Sequence, residues 1–204
     1  MVKKELFTDL DNSIQGDVFT DDKLKALYAT DASAYREIPS AVAIPRNKSD
    51  LMKIIRFARD HKTSLIPRTA GTSLAGQVVG PGIVVDVSKH MNKILEFNEK
   101  ERWVRVEPGV IRDDLNVYLN KYGLFFGPET STANRAMIGG MVGNNSCGSN
   151  SVVYKSTREH LISLKMILAD GEEVEFKELS LKEFKDKVSG LTCSSKPVLS
   201  LIHI

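Results

Sequence analysis

The chain has 204 residues, of which 42% are hydrophobic and 26% charged. This is enough apolar side chain for a folded core and excludes a chain that is disordered as a whole. Its 28 basic and 26 acidic residues leave a net charge of +2 without a long block of one sign, which argues against a nucleic-acid partner. No apolar run is long enough for a transmembrane segment and no signal peptide is visible, so a cytoplasmic protein is expected, with membrane association left open for a longer protein. Cys147 and Cys193 lack ligand spacing, so no metal site is predicted.

The first third of the chain predicts a helical leader followed by a strand and a helix. We expect residues 3–36 to be helical, with Thr20 capping a helix whose first turn carries two aspartates. The apolar run at 41–44 predicts a strand, and the prolines on both sides place it at a sheet edge or a strand start. Ser49 is expected to cap an amphipathic helix that ends near His61.

The middle of the chain predicts more sheet and a second amphipathic helix. The β-branched run at 83–87 indicates a buried strand, which completes a strand–helix–strand unit. Residues 95–98 and 103–106 flank a charged turn, as the strands of a hairpin do. The helix that follows carries its apolar residues on one face and stops at Gly123, which favours a helix end.

The last part combines a long irregular stretch with a hairpin. From 125 to 157 almost no hydrophobic period is found, and glycine, asparagine and serine abound. A stretch of that length favours a loop organised by a ligand. Residues 161–168 and 174–176 flank an Asp-Gly turn at 170–171, which predicts an antiparallel hairpin.

Two segments of small, polar residues stand out: segment A (residues 67–77), after a short apolar run, and segment B (residues 137–149). Backbone N–H groups of such segments can converge on an anion, and small side chains allow a diphosphate to approach closely. Neither segment contains Asp or Glu, although Glu129 lies nearby. One such loop alone is more often a plain turn. Because there are two, they favour a single extended ligand.

Other chemistry-bearing residues give weaker signals. Cys147 has no neighbouring base, so a packing or backbone-contact role is favoured over a nucleophile. The four histidines share no ligand spacing. Tyr154 and Arg158, just after segment B, are equally compatible with approaching a ligand and with covering it.

Seven short motifs occur here in the order and spacing of a known family: residues 67–77, 85–88, 106–109, 127–134, 138–140, 144–148 and 168–171. Over roughly residues 25–180 the chain resembles the FAD-binding (PCMH-type) domain of the vanillyl-alcohol oxidase superfamily. Within it, the chain is most similar to the glycolate oxidase and D-lactate dehydrogenase branch of the FAD-linked oxidases. The ordered set is specific, whereas any single glycine-rich piece is weak evidence. No Gly-x-Gly-x-x-Gly follows the first strand, so the chain departs from Rossmann-type dinucleotide folds.

The resemblance implies an α+β fold of two subdomains, a small βαβ subdomain and a larger mixed-sheet subdomain, incomplete at the C-terminus. The implied domains are a helical leader (1–36), the FAD-binding domain (37–191) and a tail that is not natural protein (192–204). Family members continue into a further glycine-rich segment and a substrate-capping domain. The last six residues here resemble a translated sequencing-library adapter instead.

The resemblance also implies the cofactor and its contacts. The loop from Pro67 to Ser73 is expected to take the FAD pyrophosphate through its backbone N–H groups, with Gln77 supporting the flavin side. Thr72 stands where members with covalent flavin have a histidine, so FAD is expected to bind noncovalently. Ala70 stands where relatives often have glycine. The full set of expected FAD contacts is Pro67, Arg68, Thr69, Ala70, Gly71, Thr72, Ser73, Gln77, Pro128, Thr132, Met137, Gly139, Gly140, Gly143, Asn144, Cys147 and Gly148.

The implied reaction is oxidation of a 2-hydroxy acid of the D-lactate or glycolate type to the 2-oxo acid. The hydride passes to the flavin, and the electrons leave to a quinone or an iron–sulfur domain. In the family the catalytic base and the carboxylate-binding arginines belong to the capping domain, so no catalytic residue is assigned in this chain. We expect the chain alone to be inactive and to bind FAD weakly.

Two alternatives remain open from the sequence. One is another flavin-dependent reductase of the same fold, similar to UDP-N-acetylenolpyruvoylglucosamine reductase. The other is a binding module that holds no nucleotide.

Overall fold

A computed structural model describes residues 4–190 of the chain. The helices are α1 (Lys4–Ser13), α2 (Asp22–Leu27), α3 (Lys48–Asp60), α4 (Arg112–Asn120), α5 (Ile138–Gly143), α6 (Ser151–Tyr154) and α7 (Leu181–Gly190), with a 3-10 turn at Thr157–His160. The strands are β1 (Asp17–Phe19), β2 (Ala41–Ile44), β3 (Leu65–Arg68), β4 (Ile83–Asp86), β5 (Ile94–Asn98), β6 (Trp103–Val106), β7 (Ser163–Ile167) and β8 (Glu173–Lys177). Cys193 and the tail predicted for 192–204 lie outside the described residues.

The first half folds around a four-stranded sheet with the order β1-β2-β4-β3. Strands β2, β4 and β3 are parallel, and β1 is antiparallel to β2. Strand β2 therefore has a partner on each side and is buried at every position. Of the two predicted alternatives, a sheet edge and a strand start, the edge is wrong. The two prolines that suggested an edge lie outside the strand, where their missing N–H groups remove no ladder hydrogen bond.

Both faces of this sheet are covered by helices. On one face α1 and α3 pack through Phe7 and Ile54 against alternate residues of β2 and β4. On the other face α2 and Tyr28 pack against Val42 and Val84. Alternation of side chains along a strand assigns these two sets to opposite faces.

Three local predictions in this half need correction. The stretch 3–36 is not helical throughout, because Asp17–Phe19 forms strand β1. The cap of α2 is Asp21, whose side chain accepts a hydrogen bond from the backbone N–H of Leu24, instead of Thr20. The cap of α3 is Asn47 instead of Ser49. Asparagine and aspartate are as effective as serine and threonine in this role, so residue type alone does not choose between neighbours.

A second core lies between α4 and the β5–β6 hairpin. Leu115 and Leu119 of α4 pack with Phe97 and Val104 of the hairpin. The predicted hairpin and helix are both confirmed. Gly123 has a φ of +66°, which L side chains rarely adopt, at the turn that ends the helical region.

Residues 125–157 are less irregular than predicted, because they contain the short helices α5 and α6. The predicted final hairpin is confirmed as β7–β8, with Gly171 at a φ of +88° in its turn. Helix α7 follows this hairpin and was not predicted. The side chain of Lys48 on α3 forms an ion pair with Glu173 on β8, which ties this hairpin to the first half. The described residues therefore form an α+β fold. Its first core consists of the clusters on the two faces of the four-stranded sheet, and its second core is the one between α4 and the β5–β6 hairpin.

Candidate functional site

Segment A leaves the sheet at the carboxyl end of β3. Arg68, the last residue of that strand, lies opposite Asp86 at the end of β4, so the segment starts where two parallel strands end together. Gly71 and Gly76 have φ angles of +67° and +69°, so the chain turns twice in conformations that favour glycine. In the described part of the chain, the backbone N–H groups from Ala70 to Ser73 have no hydrogen-bond acceptor. Segment A thus offers four successive N–H donors.

Segment B begins next to the second core, the one between α4 and the β5–β6 hairpin. The N–H groups of Ile138 and Gly139 donate to the carbonyls of Val110 and Pro108, which fixes the start of α5. Farther on, the N–H groups of Gly140 and Cys147 have no acceptor among residues 4–190. Segment B therefore adds donors of its own to the same kind of site.

The structure brings the two segments together. A Cβ atom built on Gly140 would lie 2.5 Å from the Oγ1 atom of Thr69, so the backbone of segment B passes directly against a side chain of segment A. Gln77 donates through Nε2 to the Oδ1 atom of Asn144 at 2.9 Å. Two contacts between segments so far apart in sequence define one shared surface.

Several predicted contact residues have a structural reason for their identity. A Cβ on Gly139 would lie 2.4 Å from the Cβ of Pro108, and a Cβ on Gly148 would lie 2.5 Å from the carbonyl oxygen of Glu129. Both glycines therefore allow close packing inside the protein. Gly143 has nothing within 4 Å of such a position and faces open space.

Three predicted contact residues lie before segment B or at its first position, and their contacts are with the structure that supports the site. Pro128 is fully buried, and its carbonyl accepts a hydrogen bond from Nε of Arg112 at 3.1 Å. The carbonyl of Thr132 accepts from the N–H of Ala136 at 2.7 Å. Met137 forms an isolated bridge with Ile111. None of these contacts, among the residues described, joins them to segment A.

Three side chains of segment A already make hydrogen bonds within the protein, and one of them is Gln77, which donates to Asn144. The Ser73 hydroxyl donates to Oε1 of Gln77 at 2.8 Å and accepts from the N–H of Ala75 at 3.1 Å, so its hydrogen is engaged within the protein. Arg68 donates through Nη1 to the carbonyl of Thr30 at 2.8 Å. The remaining donors of this segment are mainly backbone N–H groups.

The charge around the two segments suits an anionic group. Neither segment carries a carboxylate, and Glu129 beside them accepts a hydrogen bond from the side chain of Asn150 at 2.5 Å. The buried carboxylate beneath segment A is Asp86, which accepts from the Tyr28 hydroxyl at 2.6 Å and from the N–H of Ser88. Burial and this hydrogen bond raise the pKa of Tyr28 well above its ordinary range, which keeps the phenol protonated.

Sequence reasoning missed residues that support the site from elsewhere in the chain. Tyr28 and Tyr35, from the segment before β2, lie against segment A. Arg112 and Asn116, one turn apart on α4, hold the carbonyls of Phe126 and Pro128. Arg112 and Asn116 are four residues apart, so the sequence could have shown that they share one face of α4. Nothing near Tyr28 in the sequence indicated its contact with segment A.

The other candidate residues have limited roles. Cys147 is an exposed, free thiol. The Tyr154 ring packs edge-on against Phe125 at 5.3 Å, and Arg158 pairs with Glu159 at 3.8 Å. Between residues 4 and 190, no group of His, Cys, Asp and Glu side chains is suited to a metal ion. No helix within that range is long and apolar enough to cross a membrane.

The chain matches a family model described as an FAD binding domain over residues 39–177. It is 44% identical over 160 residues to the D-2-hydroxyglutarate dehydrogenase of Pantoea ananatis, covering 77% of this chain and 16% of that protein. It is 35% identical over 150 residues to the glycolate oxidase subunit GlcD of Bacillus subtilis, covering 72% of this chain and 32% of that protein. Among solved structures, alkyldihydroxyacetonephosphate synthase is similar with a TM-score of 0.77 at 17% identity, covering 90% of this chain and 37% of that one. At that identity the likeness concerns the fold alone, and the chain spans only a minor part of each of these proteins.

Proposed function

The chain belongs to the FAD-binding domain family, and from that membership we propose that segments A and B together hold FAD noncovalently in an oxidoreductase that acts on a 2-hydroxy acid. Family membership confirms the cofactor expected from the sequence, FAD, and the expected fold. The residues that contact it, the substrate and the electron acceptor are proposals.

The observation that carries this proposal is the pairing of unused N–H donors across the two segments. A diphosphate needs several donors and no carboxylate beside it. Residues 70–73 supply consecutive N–H groups, Gly140 and Cys147 add two more, and the Thr69–Gly140 contact places the two segments side by side. The donor set therefore fits the pyrophosphate of FAD.

The residues proposed to hold FAD divide by role. Backbone N–H groups from Ala70 to Ser73 bind the pyrophosphate, and the Gln77–Asn144 hydrogen bond joins the two sides of the site. Gly140, Gly143, Cys147 and Gly148 line the side formed by segment B. Thr72 has no nucleophilic ring nitrogen with which to bond the flavin, and so noncovalent binding is proposed.

The proposed reaction rests on the relatives named above, a D-2-hydroxyglutarate dehydrogenase and a glycolate oxidase subunit. Both names describe oxidation of a 2-hydroxy acid, and D-lactate belongs to the same chemical class. When bound, FAD supplies a hydride acceptor. This chain's residues bind and orient the cofactor, and the catalytic base is assigned to parts of the protein beyond this chain. We propose a quinone or an iron–sulfur domain as the electron acceptor, a cytoplasmic location, and no oxidation of hydroxy acids by this chain alone.

The test uses the complete product of the gene that encodes this chain. The proposal predicts a visible flavin absorbance after purification, release of the flavin on denaturation, and anaerobic bleaching by D-2-hydroxyglutarate, glycolate or D-lactate. A colourless protein that gains no flavin absorbance with added FAD contradicts the proposal. Flavin that is reduced by a nicotinamide cofactor and by none of these acids indicates a reductase instead. Flavin that stays on the denatured chain contradicts noncovalent binding.

A further inference from the structure

Residues 28–37 precede the stretch that the family model matches, which begins at residue 39. They nevertheless lie against segment A, directly at Gly76 and through the Arg68 side chain at Gly71. A Cβ on Gly76 would lie 2.6 Å from the ring of Tyr35. A Cβ on Gly71 would lie 2.5 Å from Nη2 of Arg68, whose guanidinium bonds the same N-terminal residues. The predicted boundary between a leader and the FAD-binding domain thus falls inside a set of direct contacts.

Arg68 is the side chain that joins the two parts. Its Nη1 donates to the carbonyl of Thr30 at 2.8 Å and lies 3.4 Å from the carbonyl of Tyr28. Its guanidinium carbon lies 5.2 Å from the centroid of the Tyr28 ring, a cation–π distance. Nη1 is therefore engaged by protein carbonyls, and the guanidinium is held against the Tyr28 ring. The predicted role of Arg68 as a direct FAD contact stays a prediction.

Tyr28 is itself held in place by a hydrogen bond to Asp86. Its hydroxyl donates to the buried carboxylate of Asp86 at 2.6 Å, and that carboxylate also accepts from the N–H of Ser88 at 2.8 Å. The chain from residue 29 to 37 is closed on itself, because the N–H of Glu37 donates to the carbonyl of Ala29. These contacts make residues 28–37 a firm support and leave little freedom to the Arg68 side chain.

We propose that residues 28–37 are part of the cofactor site and that Arg68 is its positioning residue, holding Gly71 and the following N–H groups in place for FAD. The inference deepens the proposed function and rests on it. A planar guanidinium can bond two carbonyls while stacking on a ring, whereas a lysine ammonium cannot do all of this at once. Ordering the N–H donors before the ligand arrives reduces the entropy lost on binding.

The test compares Arg68→Lys and Tyr28→Phe with the matched control Arg56→Lys. Arg56 is exposed on α3 and takes no part in these contacts. Each 15N-labelled chain is recorded first without FAD and then during titration with FAD up to millimolar concentration, at several salt concentrations. Amide signals and amide hydrogen exchange of residues 69–73 report the order of segment A, and the titration gives Kd.

Without FAD, Arg68→Lys and Tyr28→Phe should shift the amide signals of Gly71 and Thr72 and speed their exchange. With FAD, each should raise Kd about tenfold. The double variant should bind hardly more weakly than either single variant, because both act through one unit. The salt dependence of Kd should stay that of the unsubstituted chain, and Arg56→Lys should change nothing.

Unchanged signals in segment A with unchanged Kd overturn the inference. A raised Kd in Arg68→Lys with no change in the amide signals and exchange of residues 69–73 in the absence of FAD also overturns it, because that result marks a direct contact with FAD instead of ordering of segment A. If the unsubstituted chain shows no binding up to millimolar FAD, the proposal that segments A and B hold FAD fails for this chain, while the signals recorded without FAD still decide whether Arg68 orders segment A. Tyr28→Phe keeps the ring next to Arg68 and removes only the hydroxyl that bonds Asp86. If Arg68→Lys does not fold, the same signals and Kd are measured on Tyr28→Phe alone.

Discussion

Gly140 packs against Thr69 so closely that a Cβ atom on the glycine would lie 2.5 Å from the threonine Oγ1. Seventy-one positions separate the two residues in the sequence. This contact, together with the hydrogen bond between Gln77 and Asn144, makes segments A and B two walls of one surface. A cofactor site formed by both segments requires this juxtaposition.

The first prediction concerns the contact itself. Gly140→Ala should lower the free energy of unfolding by about 1 kcal/mol, because the added methyl group overlaps the Thr69 hydroxyl. Gly143→Ala, in the same helix with open space around it, should be neutral or stabilise slightly, since alanine favours helix. Thermal and urea unfolding of both variants measure this difference. Adding Thr69→Ala should restore the stability of Gly140→Ala, and an unrestored double variant contradicts the assigned contact.

The second prediction concerns the hydrogen bond between the segments. In a double-mutant cycle, Gln77→Ala and Asn144→Ala should show a coupling energy of about 0.5–1 kcal/mol in unfolding, because each variant removes the same bond. Urea unfolding of the two single variants and the double variant gives this value. Strictly additive effects show that the bond is not formed in solution.

The third prediction concerns Asp50, a buried carboxylate in α3 that supports the first core. Its oxygens accept hydrogen bonds from the N–H groups of Gln15, Gly16 and Arg46. Asp50→Asn should cost about 2–4 kcal/mol, because the amide NH2 group is turned toward N–H donors and cannot accept. Urea unfolding provides the measurement. Asp60→Asn, an exposed change in the same helix, should cost less than about 0.5 kcal/mol.

The fourth prediction concerns pH. Burial and the hydrogen bond to Asp86 raise the pKa of Tyr28 above its ordinary value of 10.0, so the folded state keeps the phenol proton longer than the unfolded state. The stability that the Tyr28 hydroxyl contributes is therefore complete below pH 10 and falls as pH rises above it. Unfolding of the unsubstituted chain and Tyr28→Phe should differ most below pH 10 and converge above it. A difference that grows above pH 10 contradicts the assigned hydrogen bond.

Local chemistry was enough to predict much of the fold. The turn at Gly171, the hairpin around residues 99–102 and the periodic helix α4 all follow from residue type and spacing within a short window. Segments A and B were recognisable because small residues without carboxylates have few structural uses in such long runs.

Contacts between distant residues could not be read in the same way. Strand β1 has three residues, too few for a periodic pattern, and forms only because β2 offers an open side. The support of segment A by Tyr28 and Tyr35 depends on tertiary packing, and neither residue carries a local signal of it. The local sequence pattern therefore indicated which segments offer backbone N–H donors. Only the fold showed which side chains hold those segments in place.

The most direct test of the central claim is a titration of the 15N-labelled chain with FAD, following the amide signals of both segments in one experiment. The account predicts that signals from residues 69–73 and from Gly140 and Cys147 shift together and fit one Kd. Signals of the exposed face of α3 should stay unchanged. Shifts confined to one segment, or two segments that follow different Kd values, would contradict a single FAD bound between them.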